Sequence, residues 1–432
     1  MSQDTLKLPA NQITDFQHHA ESFIDSIFRE GARQMLQIAL EKEVSDYIER
    51  HANVVDGNGK QQVVRNGYHN ERSLLSGAGM IKVRQPRVND RRQDKKFSSS
   101  ILPAYMRKCP SIENLIPCLY LKGISTNQFQ TALEAILGTN CPGLSSSTIS
   151  DMMKSWQDEC EVWSDRDLSS KEYAYFWADG VHVKVRLGDQ EKASLLVIMG
   201  ATKEGDKELI GIYSGYREST ESWSELLRSL KERGLKNGPK LAVGDGALGF
   251  WNAISEVYPE ARHQRCWIHK TSNILDKMAA SVRDRAKADI HNIYLADTRE
   301  NAEQAYQAFI EKYQDKYDKA TACLEKSRDD LLAFYDFPAK HWRHIRSTNV
   351  IESIFATLRH RTRQTKGSGS RKAAEAMAWK LCMEAQKSWK RLNGASCIIK
   401  LFNDVSFKDG EEVPIEDAKN ASELTATQQG VG

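Results

Sequence analysis

Three carboxylates in this chain stand where metal-assisted chemistry would need them. The run Lys240-Leu-Ala-Val-Gly-Asp-Gly246 is a short apolar segment that ends in Asp245 and a glycine, and a helical pattern follows. It reads as a strand delivering a carboxylate to its C-terminal edge, where open α/β sheets hold their ligands. A second strand-like run, Tyr173-Ala-Tyr-Phe-Trp-Ala-Asp-Gly180, delivers Asp179, and Arg346-Ser-Thr-Asn-Val-Ile-Glu-Ser353 opens a helix carrying Glu352. Carboxylate oxygens from two strands and a helix can hold a pair of Mg²⁺ ions roughly 3.5–4 Å apart, the arrangement used in phosphoryl transfer. Each residue also has a plainer reading. Asp-Gly is a common turn dipeptide, and Asn349-x-x-Glu352 fits a helix capping box.

Charge points toward a polyanion. The net charge is only +3, but between Lys340 and Lys372 the basic residues are Lys340, Arg343, Arg346, Arg359, Arg361, Arg363, Lys366, Arg371 and Lys372, and Glu352 is the sole acid. A lone carboxylate in so positive a segment suits a metal ligand beside phosphates; a solvated basic helix face is the alternative. Arg359 follows Glu352 by two helical turns and shares its face. Cys266-Trp-Ile-His269 is half of a zinc site; with His341-Trp-Arg-His344 as its only short-spaced complement, a structural or DNA-facing role is favoured over zinc.

These residues must be positioned by a mixed architecture. Phe16 to Arg50 is patterned as a helix after a loose tail over residues 1–15. Arg65–Leu75 and Gly79–Pro86 read as two strands around the turn Ser76–Gly79, with Lys82, Arg84 and Arg87 forming a basic hairpin and arm that can grip DNA phosphates; a merely soluble edge hairpin is the alternative. Three short helices follow, Ser111–Leu121, Thr126–Leu137 and Ser145–Trp156. The last resembles the reading helix of a helix–turn–helix, with Ser146, Ser147, Thr148 and Lys154 toward the groove; any trihelical packing unit looks the same. Tyr173–Leu187, Ala193–Ala201 and Glu208–Tyr216 read as antiparallel strands. A helix over Glu221–Arg233, a strand at Leu241–Val243, a helix over Leu248–Val257, a strand at Arg262–Cys266 and a helix from His269 come next. Ala279–Asp336 is helical throughout, as are Asn349–Arg363 and Arg371–Arg391. The eight scattered cysteines form no C-x-x-C pair, so no disulfide framework is expected. No signal-peptide core and no membrane-length apolar run are visible.

Taken in order, Arg65-Asn-Gly-Tyr68 with Val83-Arg-Gln-Pro-Arg87, Ala178-Asp-Gly-Val-His-Val-Lys-Val-Arg186, Glu218-Ser-Thr-Glu-Ser-Trp223 through Arg233-Gly-Leu235, Asp245-Gly-Ala-Leu-Gly249, Gln264-Arg-Cys-Trp-Ile-His269, Arg346–Glu352 and Arg359-His-Arg-Thr-Arg363 resemble the mutator-type transposases of bacterial insertion sequences, relatives of eukaryotic Mutator-like elements. The resemblance spans roughly Phe23 to Arg391. It implies an α/β RNase H-like core, interrupted before its last catalytic helix by an all-helical insertion. It also implies the metal-binding catalytic triad Asp179, Asp245 and Glu352, two Mg²⁺ ions with Mn²⁺ as a substitute, strand cleavage that leaves a 3′-OH, and in-line attack of that hydroxyl on target DNA.

The expected organisation is a tail (1–15), a helical and basic-hairpin region (16–100), a helix–turn–helix-like domain (101–165), the first part of the core (170–278), the helical insertion (279–340), the last core helix and a C-terminal helix (341–402), and a disordered tail (403–432). The expected partners are double-stranded DNA, as element terminal inverted repeats and as target, and a second copy of the chain, because two DNA ends must be held together. No membrane partner is expected, and the location is the bacterial cytoplasm. A transposase-derived DNA-binding regulator that no longer cuts is the alternative; the intact triad disfavours it. A hybrid nuclease of the same fold is a third reading, disfavoured by the long N-terminal region.

Overall fold

The computed structural model describes residues 10–92, 96–124, 128–137, 146–185, 192–215, 217–364 and 367–414; of residues 10–22, 146, 353 and 364 it describes the backbone alone. The chain divides into two compact units, Met1–Ser150 and Asp151–Gly432, a division that falls inside the segment 101–165 expected to form one domain.

The first unit opens with α1 (Ala10–Arg50), which begins earlier than the expected Phe16. The segment read as one strand over Arg65–Leu75 is two, β1 (Val63–Tyr68) and β2 (Arg72–Ser76). β2 pairs with β3 (Gly79–Val83) in the expected hairpin, whereas β1 pairs antiparallel with β4 (Pro86–Asp90). β4 escaped the sequence reading because Pro86 looked like a strand end. It is instead a first strand residue, a position where the missing N–H is tolerated. Leu40 of α1 packs with Leu74, Ile81, Val83 and Leu102 into a small core, while Phe23, Ile27, Phe28 and Met35 farther up the helix stay exposed. α2 (Pro110–Leu121) and α3 (Phe129–Leu137) bury Ile112, Ile116, Phe129 and Leu133. α4 (Ser146–Ser164) runs two turns beyond its expected end at Trp156, and its greater part belongs to the second unit.

The second unit is built on a five-stranded mixed sheet. In chain order its strands are β5 (Tyr173–Lys184), β6 (Lys192–Thr202), β7 (Lys207–Gly215), β8 (Leu241–Gly244) and β9 (Arg262–Arg265); in space the order is β7-β6-β5-β8-β9. The first three pair antiparallel, whereas β8 lies parallel to β5 and β9 parallel to β8. β5 and β6 are buried almost continuously, as expected of strands covered on both faces. On one face α5 (Thr220–Glu232) and α6 (Leu248–Val257) pack Trp223, Leu227 and Ile254 against Phe176, Ala178 and Leu196. The alternate residues of β5 face the other layer, where the Tyr175 hydroxyl lies 2.7 Å from His341 Nδ1 and Trp177 Nε1 donates to the His344 carbonyl at 2.9 Å.

After α7 (Trp267–Leu275) the chain is helical as expected, through α8 (Ala280–Tyr294), α9 (Arg299–Tyr313), α10 (Asp318–Glu325), α11 (Arg328–Leu332) and the short α12 (Trp342–Ile345). α13 (Asn349–Gln364) then packs on β5, and α14 (Arg371–Gln386) on β7. Between them Gly367 (φ +105°) sits where a Cβ would lie 2.8 Å from the Lys184 carbonyl oxygen. Ser368 pairs with Val185, and Ser370 caps α14. The expected disordered tail from 403 is folded at its start. α15 (Ser396–Phe402) leads into a hairpin of β10 (Phe407–Lys408) and β11 (Glu411–Glu412), and the Gly410 amide and carbonyl bond Tyr335 and Ala339, each at 3.1 Å. No described helix is long and apolar enough to cross a membrane, and the described cysteines are free thiols.

Candidate active site

The parallel register of β5 and β8 aligns two of the three carboxylates. Tyr175, Phe176 and Trp177 stand opposite Leu241, Ala242 and Val243. Every pair is 66 residues apart (241 − 175), and so are Asp179 and Asp245 (245 − 179). Asp179 lies in the body of β5, opposite Val197 of β6, and Asp245 directly follows β8. Gly246 turns the chain there with φ +95°; a Cβ on it would lie 2.3 Å from Arg265 Nε. Asp245 Oδ1 accepts the Ala247 N–H at 2.8 Å, which closes the turn and aims the side chain. The Asp-Gly turn chemistry and the delivery of a carboxylate are therefore both present at this position.

Glu352 arrives from α13. Asn349 is already helical and Thr348 supplies the carbonyl that the Ile351 and Glu352 amides bond, so the sequence-level capping box is not formed. The segment before the helix is fastened to the start of α7 instead. Trp267 N–H donates to the Arg346 carbonyl at 2.9 Å, and Thr348 donates its N–H and its hydroxyl to Cys266 Sγ at 3.4 and 3.5 Å. Thr348 Oγ1 also lies 3.4 Å from His269 Nδ1. Ile351, Ile354, Phe355 and Leu358 are buried, which rotates Glu352 toward the two aspartates.

Asp179, Gly180, Asp245, His269, Glu352, Ala356, Arg359, His360 and Arg363 line one open cavity of about 660 Å³. Asp179 is 7% exposed, and burial pushes its carboxyl up to about 7, with His269 opposing and Asp245 reinforcing the shift. Glu218, on the turn before α5, is raised in the same way by burial and by Asp245. His269 Nε2 lies 3.9 Å from Glu352 Oε1. The bond with Cys266 raises His269 to about 9, against the effect of burial, and Asp179 and Asp245 add to the rise. Burial pushes the Cys266 thiol up, but its bonds with His269 and Thr348 outweigh this and hold it below the ordinary thiol range. At neutral pH the cavity thus sets its acids against a cationic imidazole and two arginines.

Hard cations fit this donor set. Glu352 Oε1 is buried without a hydrogen-bond partner, and Asp179 is a buried carboxylate beside another; oxygen donors crowded in this way favour Mg²⁺ or Mn²⁺. Cys266, His269 and Glu352 also bring one donor atom each within 4.8 Å of one another, still one ligand short of a closed zinc site. His341, the sequence-level complement to that site, has both ring nitrogens engaged, by Tyr175 and by the Gly394 carbonyl.

The other expected contacts separate. Arg359 and Arg363 are exposed at the cavity. Arg361 is not a DNA contact: it is fully buried, because a side chain two residues from Arg359 points to the opposite side of the helix. Lys366 lies outside the described residues. In the first unit Lys82, Arg84 and Arg87 are exposed, Ser147 is exposed and Thr148 half-buried. Lys82 faces Glu71 at 3.9 Å, and the Arg84 guanidinium stands 5.6 Å from the Tyr68 ring. The sequence leaves His269 between a structural and a DNA-facing role; the structure adds His360 and Glu218, whose only sequence signal is their place in the segments Arg359–Arg363 and Glu218–Trp223.

The model of the Mutator family of transposases matches residues 1–392. The chain is 50% identical over 299 residues to the transposase for insertion sequence element IS6120 of Mycolicibacterium smegmatis, covering 69% of this chain and 92% of that one. It is 44% identical over 288 residues to the transposase for element IST2 of Acidithiobacillus ferrooxidans, covering 65% and 95%. The transposase for element IS905 of Lactococcus lactis subsp. lactis is 30% identical over 392 residues, 90% of this chain and 92% of that one. The chain belongs to the Mutator family of transposases.

Proposed function

We propose that this transposase cuts and joins DNA at the cavity between β5, β8 and α13, with Asp179, Asp245 and Glu352 as its metal-holding catalytic triad. The observation that carries this reading is the convergence of the three carboxylates on one open cavity rimmed by His269, Arg359 and Arg363. The triad would hold two Mg²⁺ ions, or Mn²⁺ in their place, which when bound activate the attacking oxygen and stabilise the leaving one. The chain's own residues do the rest. Asp179 and Asp245 are presented by strand backbone and by a closed turn, which fixes the donors with little freedom to lose. His269, kept cationic by Cys266, sets a positive charge beside Glu352, where charge builds up on a phosphate in flight. Arg359 and Arg363 take neighbouring phosphates of the duplex.

The RNase H-like reading of the core is supported by the mixed sheet, three antiparallel strands followed by two parallel ones, and by the helical segment that precedes α13. The partners on this reading are the element's terminal inverted repeats, target DNA and a second copy of the chain. A cellular excision assay with a marked element tests it. Wild-type chain is expected to release the element, whereas Asp179→Asn, Asp245→Asn and Glu352→Gln release none and still retard DNA carrying the element ends. Excision by any of the three variants would contradict the triad.

A further inference from the structure

A fourth carboxylate stands behind Gly180, a residue of the cavity wall. Glu218 sits between β7 and α5, one residue before Ser219, the N-cap of α5. Its Oε1 accepts the Trp223 indole N–H at 3.2 Å, and Trp223 is buried in the core, so one side of the carboxylate is clamped to rigid scaffold. Its Oε2 lies against the Gly180 backbone: a Cβ built on Gly180 would be 2.6 Å from that oxygen. Gly180 has no left-handed φ, so its backbone does not call for glycine; the neighbouring carboxylate does. Gly180 follows Asp179 and lines the cavity.

The mounting is fixed from the other side as well. A Cβ on Gly249 of α6 would meet the Ser219 and Thr220 backbone at 2.9 and 3.0 Å, so the start of α6 abuts the residues that follow Glu218. Among the described residues no lysine or arginine forms an ion pair with Glu218. A half-buried acid held beside a second, buried acid, with no ion pair and only the nearby His182 to offset it, is costly unless a cation sits between them. Asp179 supplies that second acid; the hydrogen bond it accepts comes from the adjacent Gly180 amide at 2.8 Å.

We infer that Glu218 is a fourth metal-facing carboxylate of this centre, offering Oε2 across Gly180 to a divalent cation of the Mg²⁺ or Mn²⁺ class, directly or through a water on the ion. The inference rests on the proposed triad. It makes Glu218 a residue that sets the affinity of the site for its ion, and the Gly180–Glu218 contact a device for placing that charge.

Binding of Mn²⁺ to the metal-free full chain, followed by the electron paramagnetic resonance of free Mn²⁺, tests it without any reaction. Glu218→Gln keeps an acceptor for Trp223 and nearly the same volume. It is expected to weaken Mn²⁺ binding at least tenfold without lowering the metal-free melting temperature. Gly180→Ala leaves all four carboxylates in place but displaces Glu218, and is expected to weaken binding in the same direction. Mn²⁺ affinity within twofold of wild type in both variants would overturn the inference, and a lowered melting temperature with unchanged affinity would reduce Glu218 to a structural residue. Asp245→Asn separates the two readings. If it loses Mn²⁺ while Glu218→Gln does not, Glu218 alone is wrong; if it too binds normally, or the wild type binds none, the triad itself fails.

Discussion

Asp179 and Asp245 are separated by the same 66 residues as the paired residues of two adjacent parallel strands, Trp177 and Val243 among them, and both line one cavity just beyond the end of that pairing. Neighbouring strands lie about 4.8 Å apart, so the register brings together two acids that are remote in sequence. A shift of one residue would turn one of them to the opposite face.

The burial of Asp179, with Asp245 adding to it, has a measurable cost in the metal-free chain. Burial holds the Asp179 carboxyl up at about 7, above the value of about 3.9 for an unfolded aspartate. The folded chain therefore binds this proton more tightly. The resulting stabilisation is fully present below about pH 4 and is lost as the pH rises through 7. Asp179→Asn is expected to melt above wild type at pH 8 without metal, by roughly 2–4 kcal/mol in stability, with the gap closing at pH 4. Mn²⁺ added at pH 8 should raise the melting temperature of the wild type and not of the variant. A variant no more stable than wild type at pH 8 would contradict the burial of a strained acid here.

The Cys266–His269 pair sets a second charge. The bond with Cys266 is the largest cause of the rise of His269 to about 9. In Cys266→Ala the His269 pKa is expected to fall toward the ordinary value of about 6.5, read by NMR titration of the imidazole. DNA cleavage by that variant should fall more at pH 8 than at pH 6, since His269 would be neutral only at the higher pH. An unchanged His269 titration would remove Cys266 from this role.

Gly246 is required by the turn that aims Asp245. Its φ of +95° and the Arg265 guanidinium beside it leave no room for a side chain. Gly246→Ala is expected to cost about 2 kcal/mol in stability and to abolish cleavage, measured by thermal melting and by strand cleavage. Wild-type behaviour in both would show that the turn tolerates a Cβ.

Three arginines that look alike in sequence divide by helix geometry. Arg359 and Arg363 are four residues apart and share the cavity with Glu352, whereas Arg361 is buried on the opposite side of α13. Arg359→Ala should weaken DNA cleavage about tenfold or more, with melting unchanged. Arg361→Ala should destabilise the fold by about 2–4 kcal/mol. The reverse pattern would place the helix in a different rotation.

The sequence showed the strands and the two carboxylates they deliver, because β5, β6 and β8 are apolar runs bounded by glycine turns. It did not show that 66 residues of separation equals the strand register, since register depends on long-range pairing. The tie between Thr348 and Cys266 spans two distant segments and was hidden for the same reason, which left His269 between a structural and a DNA-facing role. A helical projection separates Arg361 from Arg359 and Arg363, whereas charge composition alone does not. β4 is hidden because Pro86 reads locally as a strand end, and the folded stretch from Phe407 to Glu412 because Phe407 is its only apolar residue and its backbone and side-chain contacts are with distant segments. Glu218 lies in one of the motifs that carry the resemblance, but its closeness to Gly180 is a long-range contact that no local pattern shows.

Nicking of supercoiled plasmid by the purified chain with Mn²⁺, beside Asp245→Asn prepared identically, tests the central claim most directly. Nicking by the wild type alone is the expected result and would place a metal-dependent nuclease centre at Asp245. Equal nicking by both proteins would contradict the assignment of Asp245 as a catalytic carboxylate.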